Sequence, residues 1–159
     1  MELKAISPES RDKMLDILTN PQVAETYMLP DFIAREEALP LFHRLVELSR
    51  DDTRYVRGMY ADGKLVGFLN DVEIAGETME LGYAVHPGNW GKGYATAALK
   101  IAIGELFTRG FREVITGAFE ENSSSLRVME KAGMSRLEKT DEIEYRDRVH
   151  RCIYYSITR

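Results

Sequence analysis

The chain has 159 residues, which is long enough for one domain with a full core and short for two. Apolar residues make up 44% and charged residues 30%, as in ordinary soluble globular proteins. A net charge of −5 argues against a general nucleic-acid-binding protein, which needs a basic surface. No apolar run approaches the ~18 residues of a membrane span, and the N-terminus lacks a signal-peptide core. We therefore expect residues 1–159 to form one cytoplasmic domain without a nucleic-acid or membrane partner.

Cysteine and histidine usage gives no sign of a redox or metal site. Cys152 is the only cysteine, so an intramolecular disulfide is excluded, and its apolar surroundings in the sequence predict a small buried residue. His43, His86 and His150 are scattered without the spacing of metal ligands. We expect no metal.

The first fifty residues predict one strand and two helices. The strand covers Glu2–Ile6, and a short helix after it ends near Asn20-Pro21. A second helix runs from about Ile33 to Ser49, where apolar residues recur on one face. The segment Tyr27–Phe32 is apolar for a loop, and two interpretations are equally favoured: a loop packed on the core, or a wall of a substrate pocket.

The middle of the chain predicts three consecutive strands. Arg54–Tyr60 and Lys64–Asn70 flank an Asp-Gly pair that is typical of a hairpin, and Asp71–Thr78 is predicted to turn the chain. The next strand is Met79–Val85. Its alternation places Leu81, Tyr83 and Val85 on one face and Glu80, Gly82 and Ala84 on the other.

A glycine-rich turn follows this strand and leads directly into a helix that ends at Gly110. Glycines at such a turn let the backbone approach a ligand closely, and the start of a helix offers unpaired N–H groups to an anion. The stretch Val85–Ala98 therefore predicts a pyrophosphate cradle. It is neither a mononucleotide P-loop, because Lys92 lies between two glycines, nor a dinucleotide fingerprint, because Thr96 replaces the third glycine.

The C-terminal third predicts a strand, a helix and an antiparallel strand pair. The strand is Val114–Phe119, and the helix Ser123–Ala132 is capped by Asn122 or Ser123 and closed by Gly133. The final pair is Ser135–Glu144 and His150–Ile157. The whole order predicts a mixed α/β (α+β) fold with a largely antiparallel sheet and helices on both faces.

Two motifs resemble those of the GNAT superfamily of N-acyltransferases. The family's acetyl-CoA loop reads Gln/Arg-x-x-Gly-x-Gly/Ala, which Gly91–Ala95 fits, while Trp90 stands at the Gln/Arg position. The stretch Asn122–Met134 resembles the family's Asn-x-x-Ser…Glu-Lys-x-Gly-Phe helix. Both motifs are typical of the branch that includes the ribosomal-protein N-terminal (Rim-type) acetyltransferases, and the order of elements also resembles the GNAT fold over nearly the whole chain.

The resemblance implies a splayed central strand pair that holds acetyl-CoA as cosubstrate. The pantetheine arm would lie between the strand ending at Val85 and the strand Val114–Phe119. The residues implied in acetyl-CoA binding are Ala84, Val85, His86, Trp90, Gly91, Lys92, Gly93, Tyr94, Ala95, Thr96, Asn122 and Ser125.

Acetyl transfer to an amine needs a neutral nucleophile, a stabilised oxyanion and a stabilised leaving thiolate. The N–H of Val85 is the expected oxyanion donor. Two carboxylates are candidates for the base, Glu80 on the central strand and Glu144, which stands where the Rim-type branch has its Glu-Tyr pair. By resemblance, Ser125 assists the thiolate, because Met129 stands where many GNAT enzymes have a tyrosine. Tyr94 and Tyr145 are reserve donors.

The sequence thus predicts an acetyl-CoA-dependent N-acetyltransferase that acts on a primary amine in a ternary complex. The acceptor is a protein N-terminus or a small amine. The alternatives are a polyamine or aminoglycoside acetyltransferase, or a non-catalytic acyl-CoA-binding module. The fold is compatible with a homodimer.

Overall fold

One seven-stranded sheet forms the centre of the computed structural model, which describes all residues from 1 to 159. The strand order is β1-β2-β3-β4-β5-β7-β6, and every neighbouring pair is antiparallel except β4–β5. The strands are β1 (Glu2–Lys4), β2 (Val56–Ala61), β3 (Lys64–Ala75), β4 (Thr78–Val85), β5 (Glu113–Phe119), β6 (Ser135–Tyr145) and β7 (Arg148–Thr158).

Five α-helices cover the sheet: α1 (Arg11–Leu18), α2 (Pro21–Ala24), α3 (Leu39–Leu48), α4 (Tyr94–Thr108) and α5 (Ser123–Lys131). Short 3₁₀ turns occupy Pro8–Ser10, Arg35–Ala38 and Pro87–Asn89. The first three helices pack on one face of β1–β4 around Phe68, and α4 and α5 pack on the opposite face around Leu81. The predicted α/β class with a largely antiparallel sheet and helices on both faces is confirmed.

The two central strands part after four residue pairs. Thr78–Leu81 of β4 pairs in parallel with Glu113–Thr116 of β5, and the ladder stops there. The Thr116 hydroxyl donates to the Leu81 carbonyl at 2.9 Å at this last pair. Beyond it, β4 stays paired only with β3, and β5 only with β7. The splay expected from the GNAT resemblance is therefore present.

One predicted turn is wrong, because β3 continues through it. The segment Asp71–Thr78 was predicted to turn the chain, yet β3 runs to Ala75 with an irregularity between Asp71 and Glu73. Asp71 is buried and accepts hydrogen bonds from Arg54 and from the Tyr55 N–H, which holds β3 against the segment that leads into β2. A polar residue with such partners does not mark a strand end.

Two helix boundaries also differ from the prediction. The helix expected from Ile33 begins as a 3₁₀ turn at Arg35 and becomes α-helical at Leu39, where Pro40 is tolerated in the first turn. Pro21 starts the additional helix α2, because the Asn20 side chain accepts from the Gln22 N–H at 2.9 Å.

None of these helices combines the length and apolarity needed to cross a bilayer. Nowhere do three or more His, Cys, Asp or Glu side chains gather as a set of potential metal ligands.

Candidate active site

The glycine turn between β4 and α4 has a backbone that only glycine adopts without strain. Gly91 has φ 75° and Gly93 has φ 77°, and a Cβ added at either residue would meet no protein atom within 4 Å. Gly93 is the N-cap of α4, and no side chain bonds the N–H groups of the first helical turn. The turn therefore presents free amides to an open space, as expected for a cradle.

Two side chains fix the turn against the end of β4. The Trp90 indole N–H donates to the Val85 carbonyl at 2.7 Å, while about half of the side chain remains exposed. The His86 ring accepts from the Gly88 N–H at 3.0 Å, and burial lowers the pKa of that imidazole. Trp90 thus holds the glycine turn against the end of β4.

A cavity of about 460 Å³ joins this turn to the splay. Of the predicted cofactor residues, ten line it: Ala84, Val85, Trp90, Gly91, Gly93, Tyr94, Ala95, Thr96, Asn122 and Ser125. His86 and Lys92 are not among the lining residues. The segment from Gln22 to Tyr27 forms a further wall of the cavity. Of the loop Tyr27–Phe32, which the sequence assigned equally to the core or to a pocket wall, Tyr27 lines the cavity.

Helix α5 and its cap form another wall of the cavity. The Asn122 side-chain oxygen accepts from the Ser125 N–H at 3.3 Å and so caps the helix. Arg127 and Lys131 also line the cavity. Sequence reasoning missed both cations, although their i, i+4 spacing on α5 was a usable signal.

An unpaired polar atom marks the same cavity. The side-chain oxygen of Asn89, in the glycine turn, is buried and has no hydrogen-bond partner within the protein. A buried acceptor without a partner is costly, so it fits a site that a ligand completes. Neither the motif nor its spacing indicated this residue.

Met129 does not face the cavity. It is fully buried in the core between α4, α5 and the sheet, whereas Ser125 and Val128 line the cavity. The α5 position at which many GNAT enzymes have a tyrosine is therefore turned toward the core in this chain.

Tyr83 is a cavity residue that sequence analysis assigned only to a strand face. Its hydroxyl donates to the Ser125 carbonyl at 3.3 Å, and burial raises its pKa to about 12. It lies on β4 within the splay. An alternating strand pattern alone could not separate it from an ordinary core tyrosine.

The backbone of β4 offers unpaired groups to the splay. The Leu81 carbonyl points toward β5, where it accepts from Thr116. Because backbone groups in a strand repeat their direction every second residue, those of Tyr83 and Val85 face the same gap. The Trp90 indole N–H already bonds the Val85 carbonyl, whereas the Val85 N–H is free to bond an oxyanion.

Glu80 lies on the face of the sheet opposite to that of Leu81 and Tyr83, as the alternation along β4 predicts. It is half-buried, and burial is the main cause that raises its pKa. Lys139 opposes this rise, whereas Glu73 and Asp141 add to it. Asp141 also accepts from the Tyr154 hydroxyl at 2.9 Å. Glu80 is therefore a carboxylate beside further acidic groups, with a strengthened proton affinity.

Glu144 is exposed near the tip of the β6–β7 hairpin. By strand alternation it points away from the face that carries its neighbours Asp141 and Tyr145. The Tyr145 hydroxyl donates to the Ala24 carbonyl at 2.6 Å and accepts from the Leu29 N–H at 3.2 Å. Tyr145 does not line the cavity, so its place as a reserve thiolate donor is not supported; Tyr94 does line it.

A family model described as an acetyltransferase (GNAT) domain matches residues 1–135. The chain belongs to the GNAT acetyltransferase family. Its fold is shared by many solved GNAT structures. A GNAT-family acetyltransferase from Bacillus anthracis is 22% identical with a TM-score of 0.82, over 98% of this chain and 93% of that one. The Vibrio cholerae spermidine N-acetyltransferase, solved with CoA and spermine, is 17% identical with a TM-score of 0.81, over 99% and 94%. RimL, a ribosomal L7/L12 alpha-N-protein acetyltransferase solved with CoA, is 15% identical with a TM-score of 0.85, over 98% and 92%.

The predicted GNAT fold and the predicted acetyltransferase class are confirmed. The Rim-type resemblance is also supported, since RimL is among the structural neighbours. These neighbours share at most 22% identity with this GNAT protein, so they establish its fold and leave its acceptor to be argued from the site.

Proposed function

We propose that this GNAT protein transfers the acetyl group of acetyl-CoA directly to a primary amine. One observation carries the proposal: a single cavity connects the glycine turn, the splayed edge of β4 and the start of α5. A dinucleotide-like cosubstrate with a pyrophosphate and an amide-bearing arm needs an anion cradle and a row of free backbone groups. This cavity has both, and Asn89 adds an acceptor without a partner.

In this arrangement the amides of Gly91–Thr96 bind the pyrophosphate, and Arg127 and Lys131 of α5 attract phosphate charge. The backbone groups of Tyr83 and Val85 and the Asn122 side chain supply hydrogen-bonding groups for the arm. The cosubstrate itself supplies the activated acetyl group. The protein positions it and offers the Val85 N–H to the developing oxyanion.

Glu80 is the proposed base. A general base works best when its pKa lies close to the working pH, and burial raises the pKa of Glu80 in that direction. It shares its face with Gly82, where a Cβ would come within 3.2 Å of Asn70, 3.3 Å of Val72 and 3.7 Å of Tyr27, so these side chains pack closely over the glycine. Glu144 is exposed and on the other face, which supports it less.

A cationic small amine such as a polyamine is the second candidate acceptor beside a protein N-terminus. The surroundings of Glu80 favour it, because Glu73 and Asp141 lie near that carboxylate and only Lys139 opposes them. A screen with acetyl-CoA that measures thiol release would compare N-terminal peptides, polyamines and aminoglycosides. No release with any amine, despite CoA binding, would favour the non-catalytic acyl-CoA-binding module.

The cradle is tested by a matched pair of glycine variants. Gly93→Ala and Gly63→Ala each place a methyl group at a positive φ, 77° and 76°, where no protein atom lies within 4 Å. Both should lose about 1 kcal/mol of stability through backbone strain. Only Gly93→Ala should lose CoA affinity, by tenfold or more, because its methyl group projects into the cradle. Trp90 is the single tryptophan and lines the cavity, so its fluorescence reports binding directly. Equal CoA affinity in the two variants would contradict the cradle.

The base is tested by Glu80→Gln and Glu144→Gln. We expect the first to lower kcat by ~10²–10³ with CoA affinity unchanged, and to remove the acidic limb of the pH–rate profile. Glu144→Gln should retain the wild-type kcat and the acidic limb of the profile. A normal profile in Glu80→Gln would assign the proton to solvent or to another group.

A further inference from the structure

The cavity is lined by a tyrosine, Tyr83, whose hydroxyl the proposed reaction has not yet used. Tyr83 reaches from β4 across the splay to the first turn of α5, where its hydroxyl bonds the Ser125 carbonyl. The distance is 3.3 Å, which is long for an O–H···O bond, whose usual length is about 2.7–2.8 Å. A hydroxyl held this weakly can turn to a better acceptor at small cost.

Position 129 of α5, where many GNAT enzymes have a tyrosine, offers no hydrogen-bond donor to the splay. Met129 carries no proton and is fully buried in the core. Ser125 lines the cavity, but an alcohol is a weaker hydrogen-bond donor than a phenol. Two other phenols line the cavity, but Tyr94 begins α4 at the glycine turn and the Tyr27 hydroxyl donates to Asn70 at 2.8 Å. Tyr83 is the phenol on β4, where the two central strands part.

We propose that the Tyr83 hydroxyl is the hydrogen-bond donor to the departing thiolate sulfur. This inference rests on the proposed acetyl transfer. As the amine nitrogen bonds to the acetyl carbon and the carbon–sulfur bond breaks, the electron pair stays on sulfur. Tyr83 turns from the Ser125 carbonyl to that sulfur and keeps its own proton. The amine proton goes to Glu80, and the thiolate later takes its proton from water.

Proton affinity decides between donating a hydrogen bond and giving up the proton. Burial raises the pKa of Tyr83 to about 12, whereas an ordinary thiol has a pKa of about 8.5. Transfer of the phenolic proton to the thiolate would therefore be strongly uphill. The same burial keeps Tyr83 protonated, and so able to donate, over the whole neutral and mildly alkaline range.

The test compares Tyr83→Phe with a matched variant, Tyr155→Phe. Tyr155 packs in the same core, and its hydroxyl bonds the Glu130 side chain of α5, but it does not line the cavity. Each substitution removes one hydroxyl between the sheet and α5. We expect Tyr83→Phe to lower kcat about tenfold with CoA affinity unchanged, and Tyr155→Phe to retain kcat.

A leaving-group series separates a role at sulfur from a structural role. Acetyl-seleno-CoA releases a selenolate, which is a weaker base than a thiolate and needs less stabilisation. The deficit of Tyr83→Phe should shrink toward twofold with this substrate, and that of Ser125→Ala should not. An equal deficit with both substrates, or a deficit that follows Ser125 instead, would overturn the proposal.

A second readout needs no acceptor and no turnover. The thiol of bound CoA can be titrated by the ultraviolet absorbance of its thiolate. We expect its pKa to be about one unit higher in Tyr83→Phe than in the wild type or Tyr155→Phe. Absence of CoA binding in the wild type would refute the proposed function. Normal binding with a thiol pKa independent of Tyr83 would refute only this inference.

Discussion

Tyr145→Phe removes a single oxygen atom from the hairpin-tip contact, by which Tyr145 and Arg146 hold the segment from Ala24 to Asp31. In the native protein that oxygen donates to the Ala24 carbonyl and accepts from the Leu29 N–H. Arg146 holds the same segment through the Leu29 and Pro30 carbonyls and the Asp31 carboxylate. The segment matters for function because its residue Tyr27 lines the cavity.

The expected cost follows from the two hydrogen bonds that are lost. The contacts of the Tyr145 hydroxyl with the Tyr27 and Leu29 carbonyls are 3.4 and 3.5 Å long and compete for one proton, so they add little. Ala24 and Leu29 are both 5% exposed, and their freed backbone groups would be poorly hydrated. An unsatisfied buried group costs roughly 1–3 kcal/mol, so the free energy of unfolding should fall by about 2–4 kcal/mol.

Urea unfolding measures this change. With an m-value of about 2 kcal/mol/M, the midpoint should move down by about 1–2 M at unchanged slope. Tyr155→Phe is the control: the Glu130 carboxylate that it loses is exposed, and water replaces the bond. Its midpoint should move by about 0.5 M or less. Amide exchange in residues 24–31 should accelerate only in Tyr145→Phe.

Equal midpoint shifts in the two variants would refute the reasoning, because the chemical change is the same and only the burial of the partners differs. Slow amide exchange at Leu29 in Tyr145→Phe would refute it independently, since that N–H would then have another partner.

Three further predictions concern stability and the environment of the site. Asp71→Asn should lower the free energy of unfolding by about 2 kcal/mol, because the Asp71 side chain is 2% exposed while that of its partner Arg54 is partly solvated. An unchanged urea midpoint would count against a contribution of the ion pair to stability. Burial raises the pKa of Glu80 above its usual 4.5, so the stability of its protonated form is full below the unfolded pKa and is lost as pH rises through the higher folded pKa. The stability of Glu80→Gln relative to the wild type should accordingly grow as the pH rises above the usual pKa of 4.5, and a constant difference would contradict the burial of that carboxyl. Trp90→Phe loses the donor to the Val85 carbonyl and should weaken CoA binding severalfold in calorimetry, whereas unchanged binding would mean that the turn keeps its shape without the indole.

Sequence alone determined the parts of the site whose signals are local. Three features have such local signals: the glycine turn, the face alternation of β4 and the Asn122 cap. Each depends on the conformational preferences of residues that are close together in the chain. Short-range sterics and local hydrogen bonds fix these preferences, and they therefore hold in the folded protein. The GNAT resemblance then supplied the splay, which local pattern does not contain.

Tertiary structure decided what each side chain meets. Tyr145 bonds Ala24 across 121 residues, and Tyr83 bonds the α5 start across 42. Asp71 continues a strand where its sequence context predicted a turn, because Arg54 and Tyr55 satisfy it from the segment just before β2. The choice between Glu80 and Glu144 likewise depends on burial and on the opposite faces of the sheet. Burial and long-range pairing are properties of the assembled sheet, and no periodicity in the chain encodes which distant group will lie beside a given residue.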